Sequence, residues 1–519
     1  MNLSRDSIRN ALRRLSGRAT LVAQKKTIEG LPLRAELFSA DQMEQHGTVL
    51  AGIHRISTGR SPDQLLARLA DNESGLLQGC KLLTAAVKAN RRISPAGEWL
   101  LDNFYLIDEQ IRTAKRHLPK GYSRELPRLA RGPSAGLPRV YDIALEAISH
   151  GDGWVDPVSL RRFVAAYQKV TPLMLGELWA IPIMLRLALI ENLRRVGVRV
   201  TASTIDRERA DEWADQMMLA AEQDPKSLIL IIADMARSNP PMASSFVAEL
   251  ARRLQGQSAA LALPLTWIEQ RLSELDLTIE QLVQSETQKQ ASAQVSISNS
   301  IGSLRLLGAI NWREFVEALS FVEQKLREDP DGVYATMDFA TRDQYRHAVE
   351  KLAKSSRLSE LDIARKAVQL AHAAAAGGAS PDRGTNETAR ASHVGFYLVD
   401  RGLPQLKQMA EVHPSFGASV RAFGSRFPLP VYVGAIAVLT LGFTALLVYP
   451  ARASGLSGAW LMLTGAATLV SMSQFAVAVV NWLATVLATP RPLPRLDFSR
   501  GIPPDLRTLV VVPAMLTNA

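Results

Sequence analysis

A single cysteine, Cys80, stands in 519 residues, so neither an internal disulfide nor a thiolate metal cluster can form. That usage fits a reducing compartment such as the cytoplasm. Aromatic residues make up only 6%, and alternating β-branched runs are nearly missing, which argues against a sheet-based fold. The eight histidines show no His-x-x-x-His spacing, and neither a nucleophile elbow nor a phosphate-cradling glycine loop occurs. No long apolar run follows the charges of MNLSRDSIRNALRRLSGRA, so the N-terminus does not read as a secretory signal. A net charge of +10 raises nucleic acid as a partner. No aromatic-and-basic face or finger motif accompanies that charge, and no nucleic-acid partner is expected.

What is there is helix after helix. Charged residues at 21% and hydrophobic residues at 47% suit a folded chain rather than a disordered one or a bundle of spans. From Ser94-Pro95, a cap followed by a proline suited to a first helical turn, Leu100, Phe104, Ile107, Ile111, Ala114 and Leu118 recur at steps of four and three. That spacing predicts one helix ending at Pro119 and Gly121. Near Asn311 another stripe places Phe315, Leu319, Val322 and Leu326 on one face. Asn239-Pro240, and Ser359 with Asp362, read as further helix starts. Leu173 to Ile190 is apolar but holds Glu177, Pro182 and Arg186, which suit a buried core helix better than a bilayer. The fold class is all-α.

Two later stretches differ in kind. No charge occurs between Arg426 and Arg452, or between Arg452 and Arg491. Each interval can hold the about 20 apolar residues that a span requires. Tyr449, Trp460 and Trp482 fall near the expected interfaces. One arginine lies in the loop, while Arg421, Arg426, Arg491, Arg495 and Arg500 lie in the outer flanks, so the positive-inside rule places both flanks in the cytoplasm. Asn481, inside the second span, reads as a helix-helix contact.

The expected organisation is therefore an amphipathic segment over 1–30, a cytosolic helical domain over 31–372 and a flexible linker over 373–392. A juxtamembrane segment over 393–426 leads to spans over 429–449 and 459–486. A proline-rich connector over 490–508 follows, and then a short buried strand over 509–519. Asn386-Glu387-Thr388 in the linker matches a glycosylation acceptor, a chance match if the region is cytosolic.

Individual residues point to no catalysis. Asp329-Pro330-Asp331 matches the Asp-x-Asp pattern of metal-dependent sugar-nucleotide transferases, but it leaves a helix rather than a strand and reads as a solvated helix end. Glu177 and Glu191, fourteen residues apart, would be separated by about 21 Å of helical rise, against the roughly 5–9.5 Å a glycosidase pair needs. Ion pairing with Arg186, Arg194 or Arg195 explains them better. Tyr105, Trp154, Trp179 and Trp312 read as core residues rather than a sugar-stacking surface. No catalytic residue and no metal ligand is assigned.

Several long stretches resemble the N-terminal region of cyclic β-1,2-glucan synthases. They are LPLRAELFSADQMEQHG from Leu31, SPAGEWLLDNFYLIDEQIR from Ser94, YDIALEAISHGDGWVD from Tyr141 and GELWAIPIMLRLALIENLRR from Gly176. SISNSIGSLRLLGAINWREFVE from Ser296, MDFATRDQYRHAVE from Met337 and HVGFYLVDRG from His393 continue the likeness. The resemblance implies a large bacterial inner-membrane enzyme that builds its glucan processively from UDP-glucose, with Mg²⁺ or Mn²⁺ at the transferase. It makes the strand at Val511, Val512 and Pro513 the first of a nucleotide-binding fold, near the uridine. The family's Asp-x-Asp, catalytic Asp and Gln-x-x-Arg-Trp motifs would lie beyond residue 519. The expected partners are thus the bilayer and downstream transferase and carbohydrate-active domains, and this chain alone is expected to be inactive. The rival reading is a free-standing membrane-anchored scaffold.

Overall fold

A computed structural model of the chain describes residues 36–57, 62–118, 121–240, 242–376, 390–412, 427–487, 493–499 and 501–507. The expected N-terminal segment 1–30, most of the linker and the strand at 509–519 lie outside them. The fold is all-α with an apolar hairpin near its C-terminal end. Among the described residues the one sheet pairs β1 (Ile56–Ser57) antiparallel with β2 (Arg128–Leu129). Packing divides the chain into two units, Met1–Leu319 and Ser320–Ala519, where the sequence pattern runs as one helical stretch over 31–372.

The first unit has two cores joined by two long helices. Its helices are α1 (Ala40–Ile53), α2 (Leu65–Lys88), α3 (Pro95–Asp102), α4 (Phe104–His117), α5 (Arg139–His150) and α6 (Pro157–Val170). They continue with α7 (Leu175–Gln223), α8 (Leu228–Ser238), α9 (Ser244–Leu254), α10 (Ala262–Ser273), α11 (Ile279–Leu306) and α12 (Trp312–Leu319). At 49 residues α7 is about 74 Å long. Its first half, predominantly apolar, is largely buried from Leu178 to Val196 in the larger core with Leu83, Ile107, Phe163 and Phe315. Its second half is polar except for a stripe, Ala210, Ala214 and Met217, which packs in the smaller core with Phe246, Leu250 and Ile268. Likewise α11 gives Leu282 to the smaller core and Ile297, Ile301 and Leu304 to the larger.

The loop after α5 is docked on α11. Val155 N–H donates to Ser303 Oγ (2.9 Å), and Asn299 Nδ2 donates to the Asp152 carbonyl (3.2 Å). Gly153 sits at φ +80°, and a Cβ there would lie 2.4 Å from Ser300 Oγ, so this position requires glycine.

Three helix boundaries differ from the sequence pattern. The stripe from Leu100 to Leu118 is split at Asn103, whose Nδ2 donates to the Trp99 carbonyl (2.9 Å) while its Oδ1 accepts from Arg305 (2.8 Å). A side chain that bonds its own backbone competes with the helix ladder, and α3 ends there. Asn239 ends α8 in a left-handed conformation, φ 46°, instead of starting a helix; the next one begins at Ser244. The stripe from Phe315 to Leu326 is split at Ser320, which caps α13 (Phe321–Leu326) by accepting from Glu323 N–H (3.2 Å). Phe315 and Leu319 thus belong to one core, and Val322 and Leu326 to another.

The second unit continues with α14 (Val333–Thr336), α15 (Phe339–Ala353), α16 (Glu360–Ala376), α17 (Val394–Val399) and α18 (Leu403–Met409). They enclose Leu326, Tyr334, Val349, Ile363, Ala367 and Val394. Ser359 caps α16 by accepting from Asp362 N–H (3.2 Å). Two long apolar helices follow, α19 (Pro428–Ala453) and α20 (Ala459–Leu487).

Candidate functional site

The hairpin of α19 and α20 is the most distinctive feature of the second unit. Both helices are long and apolar enough to cross a bilayer, 25 residues over Leu429–Ala453 and 28 over Ala459–Val486. Unlike the first half of α7, they are not core helices: Leu441, Leu446, Met462 and Val470 are all more than 60% exposed. Open apolar faces of this extent mark a surface suited to lipid or to another protein. The turn between them holds Gly455 at φ +97° and Gly458 at φ +63°. Their contact face includes Ala476 and Val480, an edge-on pair of Phe443 and Phe475 (5.4 Å), and Tyr432 O–H donating to Asn481 Oδ1 (2.7 Å). Asn481 is therefore a helix-helix contact.

Past α20 the chain returns to the helices that precede α19. Residues 493–499 lie along the start of α15 as an extended strap. Asp338 N–H donates to the Arg495 carbonyl (2.9 Å), Asp497 N–H to the Thr336 carbonyl (2.8 Å) and Arg495 N–H to Thr341 Oγ1 (2.9 Å). Leu496 packs against the core of the same unit. The segment after the hairpin is thereby bonded to helices that precede it.

The carboxylates singled out in the sequence sit in separate ion clusters. Glu177 forms a two-point pair with Arg139, 2.6 Å at each contact, and also accepts from Met174 N–H (2.9 Å). Both side chains are buried; burial works against the Arg139 charge, yet Glu177 holds its pKa above the ordinary value. Glu191 accepts from Arg68 Nε (2.5 Å) and Nη2 (2.6 Å), Arg195 Nη2 (2.5 Å) and Tyr141 O–H (2.6 Å). Arg195 is a partner, as the i,i+4 spacing suggests. Arg186 instead donates to Gln110 Oε1 (2.7 Å).

Asp329 is not a solvated helix end. It is buried, accepting from Val394 N–H (2.9 Å) and Tyr334 N–H (3.3 Å), with His393 Nδ1 at 2.5 Å. Asp331 faces solvent. The two carboxyls of the Asp-x-Asp thus have opposite surroundings: one closes the start of α17, and the other is free of the first one's donors. Nearby, Glu323 gathers Arg346 (2.6 Å), Arg327 (2.8 Å) and Tyr334 O–H (2.6 Å). Burial and the Glu323 charge push the Tyr334 hydroxyl well up. In each cluster the buried carboxylate is held by several protein donors, which suits holding helices together more than acting on a substrate.

The aromatic set divides. Trp179 and Trp312 pack against the larger core, Trp312 Nε1 donating to the Leu307 carbonyl (2.9 Å). Tyr105 and Trp154 are 67% and 56% exposed, contrary to the core reading. Tyr105 falls on the outer side of α4, while Trp154 borders a cavity of about 110 Å³ with Phe38, His150 and Leu160. Val511, Val512 and Pro513 lie outside the described residues.

No protein-family model matches the chain. Among curated proteins it is similar to the cyclic beta-(1,2)-glucan synthase NdvB of Rhizobium meliloti (strain 1021), with 31% identity over 491 residues. The match covers 94% of this chain, which spans 17% of that protein's length.

Proposed function

This chain is a relative of cyclic β-(1,2)-glucan synthase, and on that premise we propose that it forms the membrane-anchoring, helical region of such an enzyme. The observation that carries this reading is the likeness itself, which extends through the helical cores and the hairpin instead of stopping at one motif. In this reading the hairpin crosses the inner membrane twice with both flanks in the cytoplasm. The strap of 493–499 supports it, because a chain whose two flanks hydrogen-bond to each other must have both on one side of the bilayer. The arginines outside the hairpin support the cytoplasmic side.

The work assigned to this region is mechanical. It would hold the exit of α20, and hence a transferase domain attached beyond it, at a fixed height and orientation on the membrane. Glucosyl transfer from UDP-glucose, with Mg²⁺ or Mn²⁺ on the diphosphate, would belong to such a domain. Transfer needs a metal-diphosphate cradle and a base aligned within hydrogen-bond reach. Glu177, Glu191 and Glu323 are instead committed to arginines, and losing such alignment removes on the order of a thousandfold or more in rate.

Incorporation of labelled glucose from UDP-glucose tests the proposal. This chain, purified in detergent with Mg²⁺ or Mn²⁺, should transfer none. Deleting the matching stretch from the Rhizobium meliloti synthase should abolish glucan formation in membranes. Turnover by this chain would make the helical region an enzyme in its own right. Undiminished synthesis after the deletion would favour the free-standing scaffold.

A further inference from the structure

We propose that His46, Glu146 and His150 bind one divalent transition-metal ion, zinc by their donor set, fastening α1 to α5. Glu146 and His150 are four residues apart on α5 and share a face; His46 faces them from α1. His46 Nε2 lies 2.8 Å and His150 Nε2 3.3 Å from the same oxygen, Glu146 Oε2. All three candidate ligand atoms lie within 4.8 Å of one another. Ligands about 2.0–2.1 Å from a tetrahedral zinc are roughly 3.3 Å apart, so only small side-chain shifts are needed to close on an ion.

The proton inventory supplies a second, independent argument. His150 Nδ1 is 2.7 Å from the Glu36 carbonyl, which can only accept, so Nδ1 carries a proton. Nε2 is then the nitrogen that faces the Glu146 carboxylate and can be offered to a metal. A ring nitrogen donating to a backbone carbonyl while the other faces outward is also the arrangement that orients metal-bound histidines. The rings are held in place: Phe38 stacks on His150 at 3.8 Å and 8°, and His46 lies parallel to the buried Phe163 ring at 6.2 Å. Side-chain exposures of 22% for His46, 31% for Glu146 and 10% for His150 leave an entry path and room for a water as fourth ligand.

Two imidazoles and one carboxylate suit zinc over magnesium or calcium, which favour all-oxygen shells. Glu146-x-x-x-His150 is a ligand spacing, but the partner histidine lies one hundred residues away.

The test uses the whole chain in detergent, stripped with EDTA, dialysed and titrated calorimetrically with Zn²⁺. Expected are one ion per chain, a raised unfolding midpoint, and Co²⁺ absorption of a four-coordinate site. Glu146→Gln and His46→Ala should each weaken binding by more than about 100-fold, beyond the usual effect of losing a group that merely orients a ligand. Both variants should keep the helical circular dichroism of the parent; His150 is left intact because its ring packs on Phe38. Failure of the parent to bind Zn²⁺ would overturn the proposal and leave an imidazolium-carboxylate pair. Equal affinity in the parent and both variants would also overturn it, by locating the ion elsewhere.

Discussion

Burial alone would push the Glu191 carboxyl up, but hydrogen bonds and charge from Arg68, the charge of Arg195 and the Tyr141 hydroxyl outweigh it, and its pKa falls from 4.5 to about 2. A carboxyl whose folded pKa is depressed contributes stability above its unfolded pKa and loses it as the pH falls through the folded value. The window is therefore pH 4.5 down to about 2, and the contribution at neutral pH is on the order of 3 kcal/mol. Glu191→Gln should lower stability at pH 7 by about 3 kcal/mol or more, since Arg68 and Arg195 would be left without their counter-charge. The gap between parent and variant should narrow as the pH is lowered through that window. Thermal unfolding of both proteins in detergent across the pH range reads this directly; a constant gap would mean that Glu191 acts through packing alone. Only part of this cluster was legible. Arg195 follows from i,i+4 spacing, whereas Arg68 and Tyr141 are 123 and 50 residues away and are brought in by tertiary packing. Asp329 was misread for the same reason: its donors at Val394 and His393 are 65 and 64 residues distant.

Helices with long apolar periods were legible, and their interruptions were not. The stripes through Asn103 and Ser320 keep their spacing across the break, because both halves need a buried face. What ends each helix is a single polar side chain bonded to backbone, and the signal for that is one residue wide. The hairpin is the opposite case. Its uncharged intervals are long enough to be read unaided, yet the strap that closes it back on α15 carries no local signal. The proposed topology makes a direct prediction. Ser454 and Ser457 lie in the exposed turn and Ser499 in the strap flank. Introduced singly as cysteines, the first two should react with a membrane-impermeant thiol reagent added to intact cells, and the third only after lysis. The native Cys80 gives little background, as burial pushes its thiol up to about 11. Labelling of Ser499→Cys in intact cells would overturn the orientation.

The all-helical class was readable from periodicity, but the division between Leu319 and Ser320 was not, because no proline- or glycine-rich linker marks it. Within the first unit, α7 and α11 each run through both cores, so neither core can lose its packing while the shared helices stay fully supported. A piece spanning residues 36–319 should therefore be soluble without the hairpin, strongly helical, and should melt in one transition instead of two. Leu185, with no exposed surface, sits in the buried first half of α7. Leu185→Asp would bury a carboxylate at a fully buried position of the larger core, and should cost more than about 4 kcal/mol. Because the damage lies in a helix common to both cores, it should lower the single midpoint by well over 5 °C, at roughly 2–4 °C per kcal/mol for a domain of this size. Circular dichroism melts of the parent piece and the variant decide the matter. Two separate transitions in the parent would show that the cores fold independently, and an unchanged midpoint in the variant would show that Leu185 does not hold them together.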